Sequence, residues 1–281
     1  MRTNCVSRRS ILGGASALIF GPRQSQAAPA ARVESIETIT RQPANYHAWA
    51  TMIRRKTGDL LAAYSGGREG HVCPFGRIEL MRSGDEGRTW SWPQILMDTP
   101  IDDRDAGILE THHGTILVST FTSLAYERVL GQAQGWSEDR LERWRSVGRG
   151  TTDEQRRSLL GAWMLRSTDG GLTWSVPYRV PVKSPKGPVR LSGGRLLFAG
   201  DVMPSTPHRV GVYASSDDGL TWRELGPVPV RPGDDGAQYY EPHTVETADG
   251  RILMHLRNHN TASHRETLQS DRRLGAGEWA N

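Results

Sequence analysis

The chain has 281 residues, and its many glycines, prolines and tryptophans beside only four phenylalanines point away from a helical bundle and toward short strands joined by tight turns. Its formal charge of +4 suggests an anionic partner, but residues 1–27 hold Arg2, Arg8, Arg9 and Arg23 with no acid, and the remainder balances at 31 basic and 31 acidic residues. A nucleic-acid or membrane-surface function therefore loses its electrostatic support.

In chain order, Ser7-Arg8-Arg9-Ser10-Ile11-Leu12 precedes a small apolar run from Gly13 to Phe20 and a small-x-small site at Ser25-Gln26-Ala27. This predicts a twin-arginine signal peptide over 1–27, hence a periplasmic or secreted bacterial protein with no membrane attachment after cleavage. Only Cys73 then remains, so no internal disulfide forms, and the thiol reads as a packing residue.

From there two repeats interleave over 28–271. The first is a turn leading into an apolar strand, at Thr57-Gly58, His113-Gly114, Gly193-Gly194 and Asp249-Gly250; Gly58 and Gly114 lie 56 residues apart, as do Gly194 and Gly250. The second is an eight-residue box, Ser-x-Asp-x-Gly-x-Thr-Trp, at 83–90, 167–174 and 215–222. Its aspartate is suited to accept hydrogen bonds from the turn backbone, its glycine to take positive φ, and its tryptophan to pack the turn on the sheet. Strand, turn, strand and boxed hairpin make a four-stranded unit, and such units in tandem predict a propeller. A longer interval between the second and third turns marks an insertion at about 124–160. There Ser137 is placed to cap a helix from Glu138 to Trp144, and Thr151 with Glu154 has the form of a capping box. The cluster Asp102-Asp103-Arg104-Asp105 enters the inner strand of the second unit, where a propeller presents its central channel, so these charges face either a ligand or solvent.

The boxes are similar to the Asp-boxes of the sialidase (neuraminidase) superfamily, and the resemblance runs from about residue 40 to 270. It implies an all-β, six-bladed-type sialidase β-propeller of which about four blades are present, with the helical insertion in the second blade. The segment 239–245, Tyr-Tyr-Glu-Pro-His-Thr-Val, followed by Leu256-Arg257-Asn258, resembles the stretch that in bacterial sialidases carries a glutamate polarising a tyrosine nucleophile and an arginine gripping the sugar carboxylate. Glu241 and Arg257 fall on those positions, with Tyr240 and His243 as neighbouring substrate-binding candidates. The family opens its first blade with Arg-Ile-Pro, where this chain has Tyr46-His47-Ala48-Trp49, putting Ala48 at the arginine position. The family's general-acid aspartate lies in the loop before the first box. Here that loop, 66–71, has none, leaving Glu69 or His71 to transfer protons and Arg68 to bind substrate. Asp103, Arg104 and Asp105 complete the candidate set.

In a six-bladed relative the third arginine and the catalytic tyrosine come from two further blades. The residues 272–281 fit neither box nor strand, which predicts a truncated or frameshifted end. Blades left unpartnered predict self-association. The predicted function is a sialidase-like exo-glycosidase acting on a terminal, acidic sugar of a glycan, impaired if truncated. The alternatives are a non-catalytic propeller that binds a glycan or protein, and a lyase using His47, His71 or His243. No histidine, cysteine or carboxylate spacing predicts a metal, and no glycine-rich loop predicts a cofactor.

Overall fold

The computed structural model describes residues 32–261 and 266–273. The leader at 1–27 and all of the predicted tail beyond residue 273 lie outside the described residues. The chain divides into two units, Met1–Thr38 and Ile39–Asn281. Residues 32–38 of the first carry no regular structure, and every described strand and helix belongs to the second.

Four antiparallel sheets succeed one another along the chain. The first blade is β1 (Tyr46–Arg54), β2 (Leu60–Arg68), β3 (Arg77–Ser83) and β4 (Gln94–Met97). The second is β5 (Asp102–Glu110), β6 (Ile116–Ser123), β7 (Ala162–Ser167) and β8 (Tyr178–Val180). In the third, β9 (Val182–Lys183) and β10 (Val189–Arg190) both pair with β11 (Leu196–Val202), followed by β12 (Val210–Ser215) and β13 (Arg223–Pro227). The fourth is β14 (Tyr239–Glu246), β15 (Arg251–Asn258) and β16 (Glu266–Arg273). The all-β propeller expected from the repeats is thus present as four blades. The last strand continues through Arg272 and Arg273, two residues into the segment expected to be non-strand.

The second strand of each blade shows why the blades stack. Side chains of a strand alternate between the two sheet faces, and in β6 both faces are covered. Ile116 and Val118 pack with Leu61, Ala63, Ile78 and Leu80 of the first blade. Leu117, between them, packs with Val182, Leu196 and Phe198 of the third. In β11, Leu197 and Ala199 turn the other way, onto Ile252, Met254 and Leu256 of the fourth. Burial on both faces is what makes these strands read as unbroken apolar runs. In β15 the pattern changes: Ile252, Met254 and Leu256 are buried, while Leu253, His255 and Arg257 on the opposite face are not.

The predicted turns are realised. Gly58, Gly114, Gly194 and Gly250 all have φ between 78° and 96°. In each box the serine hydroxyl accepts from the glycine N–H, as from Gly87 at 2.8 Å, and the aspartate accepts from the threonine N–H, as Asp85 does from Thr89 at 2.8 Å. The two central turn residues both take positive φ, 63° and 88° at Glu86 and Gly87, the primed geometry that matches strand twist. The boxes also clamp neighbouring blades: Arg82 donates to the Gly170 carbonyl of the next box, and Arg166 to the Asp218 carbonyl at 3.2 Å.

The insertion forms α1 (Ala125–Gly131), α2 (Glu138–Ser146) and α3 (Asp153–Ser158). Ser137 caps α2 as expected. The second cap is one residue later than predicted: Thr152 and Gln155 form the box, because Thr152 has the extended backbone and the Gln155 side chain reaches back to its N–H at 2.7 Å. The insert packs on the β2–β3 loop through Trp144, Tyr126, Phe75 and the buried thiol of Cys73.

Three sequence-predicted site residues belong to this framework instead. The Arg68 side chain is fully buried and forks onto Asp102, at 2.7 and 3.0 Å, with further bonds to Ser65 Oγ and the carbonyls of Gly70, His71 and Asp103. It ties blade one to blade two and does not face a ligand. Asp103 is buried as well, accepting from the Thr99 N–H and hydroxyl at 2.7 and 2.8 Å. Glu69 turns toward α2, accepting from Arg140, Arg143 and the Trp144 indole at 2.8 to 3.2 Å. Partial burial alone would raise its carboxyl, but the Trp144 and Arg143 hydrogen bonds and the Arg143 and Arg140 charges outweigh this and hold it below the ordinary carboxylate range.

Removing one partner of a buried ion pair leaves the other uncompensated, so Arg68→Met is expected to cost about 3–5 kcal/mol in denaturant unfolding; a loss below about 1 kcal/mol would show that the pair does not lock the blades. A carboxylate with a lowered folded value contributes stability above the ordinary carboxylate range, lost as pH falls through that lowered value. Glu69→Gln at neutral pH should therefore lower the hydrogen-exchange protection of α2, and acidifying the parent should lower it too, relative to the intrinsic exchange rate at each pH; unchanged α2 protection in the variant would contradict the anchor.

Candidate functional site

The inner strands β1, β5 and β14 share a local irregularity. Between Ala48 and Thr51 the register advances three residues while its partner β2 advances two, from Ser65 to Ala63. The same happens between Arg104 and Gly107 and between Tyr240 and His243. Each is a β-bulge, in which one surplus residue is re-aimed out of the ladder. The re-aimed residues are Trp49, Asp105 and Glu241, with φ of 53°, 53° and 51°. Non-glycine residues pay about 1–3 kcal/mol for such backbone, and they concentrate at ligand sites.

All three line one cleft of about 730 Å³, with His71, Arg104, Phe121, Pro185, Lys186, His243, His255 and Arg257 also on its wall, so every blade contributes. Trp49 and Asp105 are 56 residues apart, and so are Pro185 and Glu241. The four residues occupy the same place in successive blades. Trp49, not Ala48, is therefore the first-blade residue at the cleft, a position that sequence reasoning missed; the 56-residue interval between turn glycines, applied to Asp105, finds it.

Arg257, on β15, pairs with Glu241 at 2.8 Å, both side chains partly open to solvent at 50% and 39% exposure. Arg104 lies over the Trp49 ring at 4.8 Å and 5.9 Å from the Phe121 centroid. His71 meets the Trp49 ring edge-on at 5.0 Å. Loss of hydration and the nearby Arg104 and Arg68 charges lower His71, with Asp102 and Glu241 opposing, which favours the neutral imidazole. Asp105 is only 6% exposed, and its Oδ1 is buried without a hydrogen-bond partner. Burial pushes its carboxyl up to about 6, with Glu241 adding to the rise and Arg104, Lys183 and Arg68 opposing it.

Of the sequence-predicted residues, the structure thus brings together Glu241, Arg257, His71, Arg104, Asp105 and His243. Tyr240 does not line this cleft; its ring lies between His208, stacked at 4.6 Å, and His259 at 4.7 Å. Lys186, Phe121 and His255 join the wall without a sequence signal, because neighbouring strands and connections deliver them. Among the described residues, no group of three or more histidine, cysteine or carboxylate side chains is arranged to hold a metal.

Comparison with known proteins agrees with this architecture. A sialidase of Micromonospora viridifaciens is 31% identical over 232 residues, 76% of this chain, and the match covers 33% of that protein, so the chain spans about a third of its relative's length. A Dyadobacter fermentans protein of unknown function superposes with a TM-score of 0.60 at 20% identity, over 83% of this chain and 67% of that one. The intramolecular trans-sialidase of Ruminococcus gnavus, in complex with oseltamivir carboxylate, does so with a TM-score of 0.57 at 14% identity, over 84% and 70% of the two chains. At these identities the two structures speak to the fold. Residues 129–281, over half of the chain, match the family described as a BNR repeat-like domain; with its bladed sheets and boxed turns, the chain belongs to that family and is a sialidase-like BNR propeller.

Proposed function

We propose that this protein is a glycosidase of the sialidase type, releasing a terminal acidic sugar from a glycan. The observation that carries this reading is the Glu241–Arg257 pair at 2.8 Å inside a cleft to which all four blades contribute. Ion pairs this open to water are worth only about 0–1 kcal/mol, so a substrate carboxylate can take over the Arg257 guanidinium at little cost and bind it bidentately. Glu241, released from Arg257, then serves as the base that takes a proton from a hydroxyl nucleophile at the anomeric carbon. Arg104 and Lys186 add positive charge on the facing wall. We place the activity outside the cytoplasm, a reading that rests on the Arg8–Arg9 pair and the apolar run after it.

A glycan-binding propeller without turnover is the second reading, and Trp49 favours it. The resemblance calls for an arginine at Ala48, and the indole of Trp49, the next residue, enters the cleft in its place; aromatic faces are common platforms for apolar ligand surfaces.

The test is hydrolysis of a panel of fluorogenic sialosides and other acidic and neutral glycosides by the full chain and by Glu241→Gln. Release by the parent, reduced about 100-fold or more in the variant, is the expected result. Binding of the same glycosides with no release by either protein would support the second reading and overturn the first.

A further inference from the structure

Of the three bulge residues on the cleft wall, Trp49 and Asp105 are followed by alanine, whereas Glu241 is followed by Pro242. Steric clash with the proline ring pushes the residue before it toward extended backbone, yet Glu241 is held at φ 51°. Proline also has no N–H to give to a ladder. The conformation that aims Glu241 into the cleft therefore depends on groups outside β14.

The third blade supplies them. Asp201 on β11 accepts from the Glu241 N–H at 3.3 Å, and Ser184, directly after β9, donates its hydroxyl to the Pro242 carbonyl at 2.8 Å. The residue before Glu241 is held as well, with the Tyr240 ring between His208 and His259. The β5 bulge is fastened by a similar hydroxyl: Thr51 of the first blade donates to the Ala106 carbonyl at 2.6 Å and accepts from the Ile108 N–H at 2.9 Å. In both places the preceding blade grips the carbonyl just after the re-aimed residue, and at β14 a carboxylate is added. Asp201 and Ser184 are both buried, at 4% and 5% exposure, and neither is on the cleft wall. Lys183 Nζ on β9 and His208 Nε2 of the β11–β12 connection each lie 3.6 Å from the Asp201 carboxylate. Solvent, which would otherwise compete for that acceptor, is largely kept away from it.

Resting on the glycosidase reading, we propose that Asp201 is the positioning residue for Glu241, with Ser184 as its second anchor. Asp201 works from behind the cleft wall, fixing the peptide from which the Glu241 side chain leaves the strand. The Glu241 carboxylate thereby stays where it meets Arg257 at 2.8 Å and faces the cleft. A displacement of about 1 Å in a group of this kind costs about 100-fold in rate. Arg104, Lys186 and Arg257 stand on other segments of the wall, so loss of the anchor falls on turnover and leaves the attraction for an acidic sugar in place.

The experiment is a double-mutant cycle on the full chain, read as kcat and KM on whichever glycoside of the panel the parent cleaves. Asp201→Ala should lower kcat about 10- to 100-fold and change KM less than about threefold. Asp201→Asn keeps an amide oxygen that can accept the Glu241 N–H, and it should return kcat to within about fivefold of the parent. In the Glu241→Gln background Asp201→Ala should cost less than about threefold more, because the group it acts through is already lost. Ser184→Ala should lower kcat about three- to tenfold in the parent background and hardly at all in Glu241→Gln. Losses that multiply across the two backgrounds, as a merely structural role would give, overturn the proposal. So does an Asn variant as slow as the Ala variant while it melts like the parent. Should Asp201→Ala not fold, Asp201→Asn and the Ser184 cycle decide by the same outcomes. A parent chain that cleaves nothing in the panel overturns the glycosidase reading and this role together, whereas an active parent with multiplying losses overturns only the role of Asp201.

Discussion

In β1, β5 and β14 the ladder gains one residue on the inner strand, and that residue is held at positive φ. Side chains of a regular strand would alternate between the two blade faces, where they meet a neighbouring blade. The bulge takes one side chain out of that alternation and aims it along the strand end into the space shared by the blades. Repeating the device in three of the four blades turns a stack of sheets into a cleft with convergent side chains. Trp49, Asp105 and Glu241 converge because they occupy the same place in the repeat, although one is an indole and two are carboxylates.

The cleft wall needs a rigid frame, since bulged backbone costs energy that the surroundings must offset. Part of that frame is apolar, the clusters between successive blades. Part is polar: the Arg68–Asp102 fork, fully removed from water, has each guanidinium nitrogen engaged. A buried pair of this kind adds little net stability against an apolar pair of equal volume, but it is costly to break. It therefore specifies how blade one meets blade two. Gly76 fits the same logic, because a Cβ there would run into Arg68 and Asp102. Asp102 also lies 3.8 Å from Arg104, so the frame reaches directly into the cleft electrostatics.

Much of the architecture was legible from local chemistry. The boxes at 83–90, 167–174 and 215–222 announce their turns because serine, aspartate, glycine and threonine each satisfy a bond within eight residues. The turn glycines do the same, and Ser137 announces α2. Less legible was the assignment of charged residues to frame or cleft. Arg68, Glu69 and His71 lie within four residues of each other, yet one is buried, one faces α2 and one lines the cleft. No propensity separates them, since the directions are set by distant partners, Asp102 for Arg68, Trp144 for Glu69 and Trp49 for His71.

By itself the sequence determined the class of fold, the repeat length, the turn geometry and the helical insert, because all of these depend on contacts made inside one repeat. It also marked Glu241, Arg257 and the acidic run at 102–105 as residues to follow. Only the tertiary structure decided that Asp105 enters the cleft while Asp102 and Asp103 are withdrawn, and that Trp49 replaces Ala48 at the first blade. The physical reason is register: one surplus residue reverses which face a side chain takes, and whether a strand accommodates that residue depends on the blades packed against it.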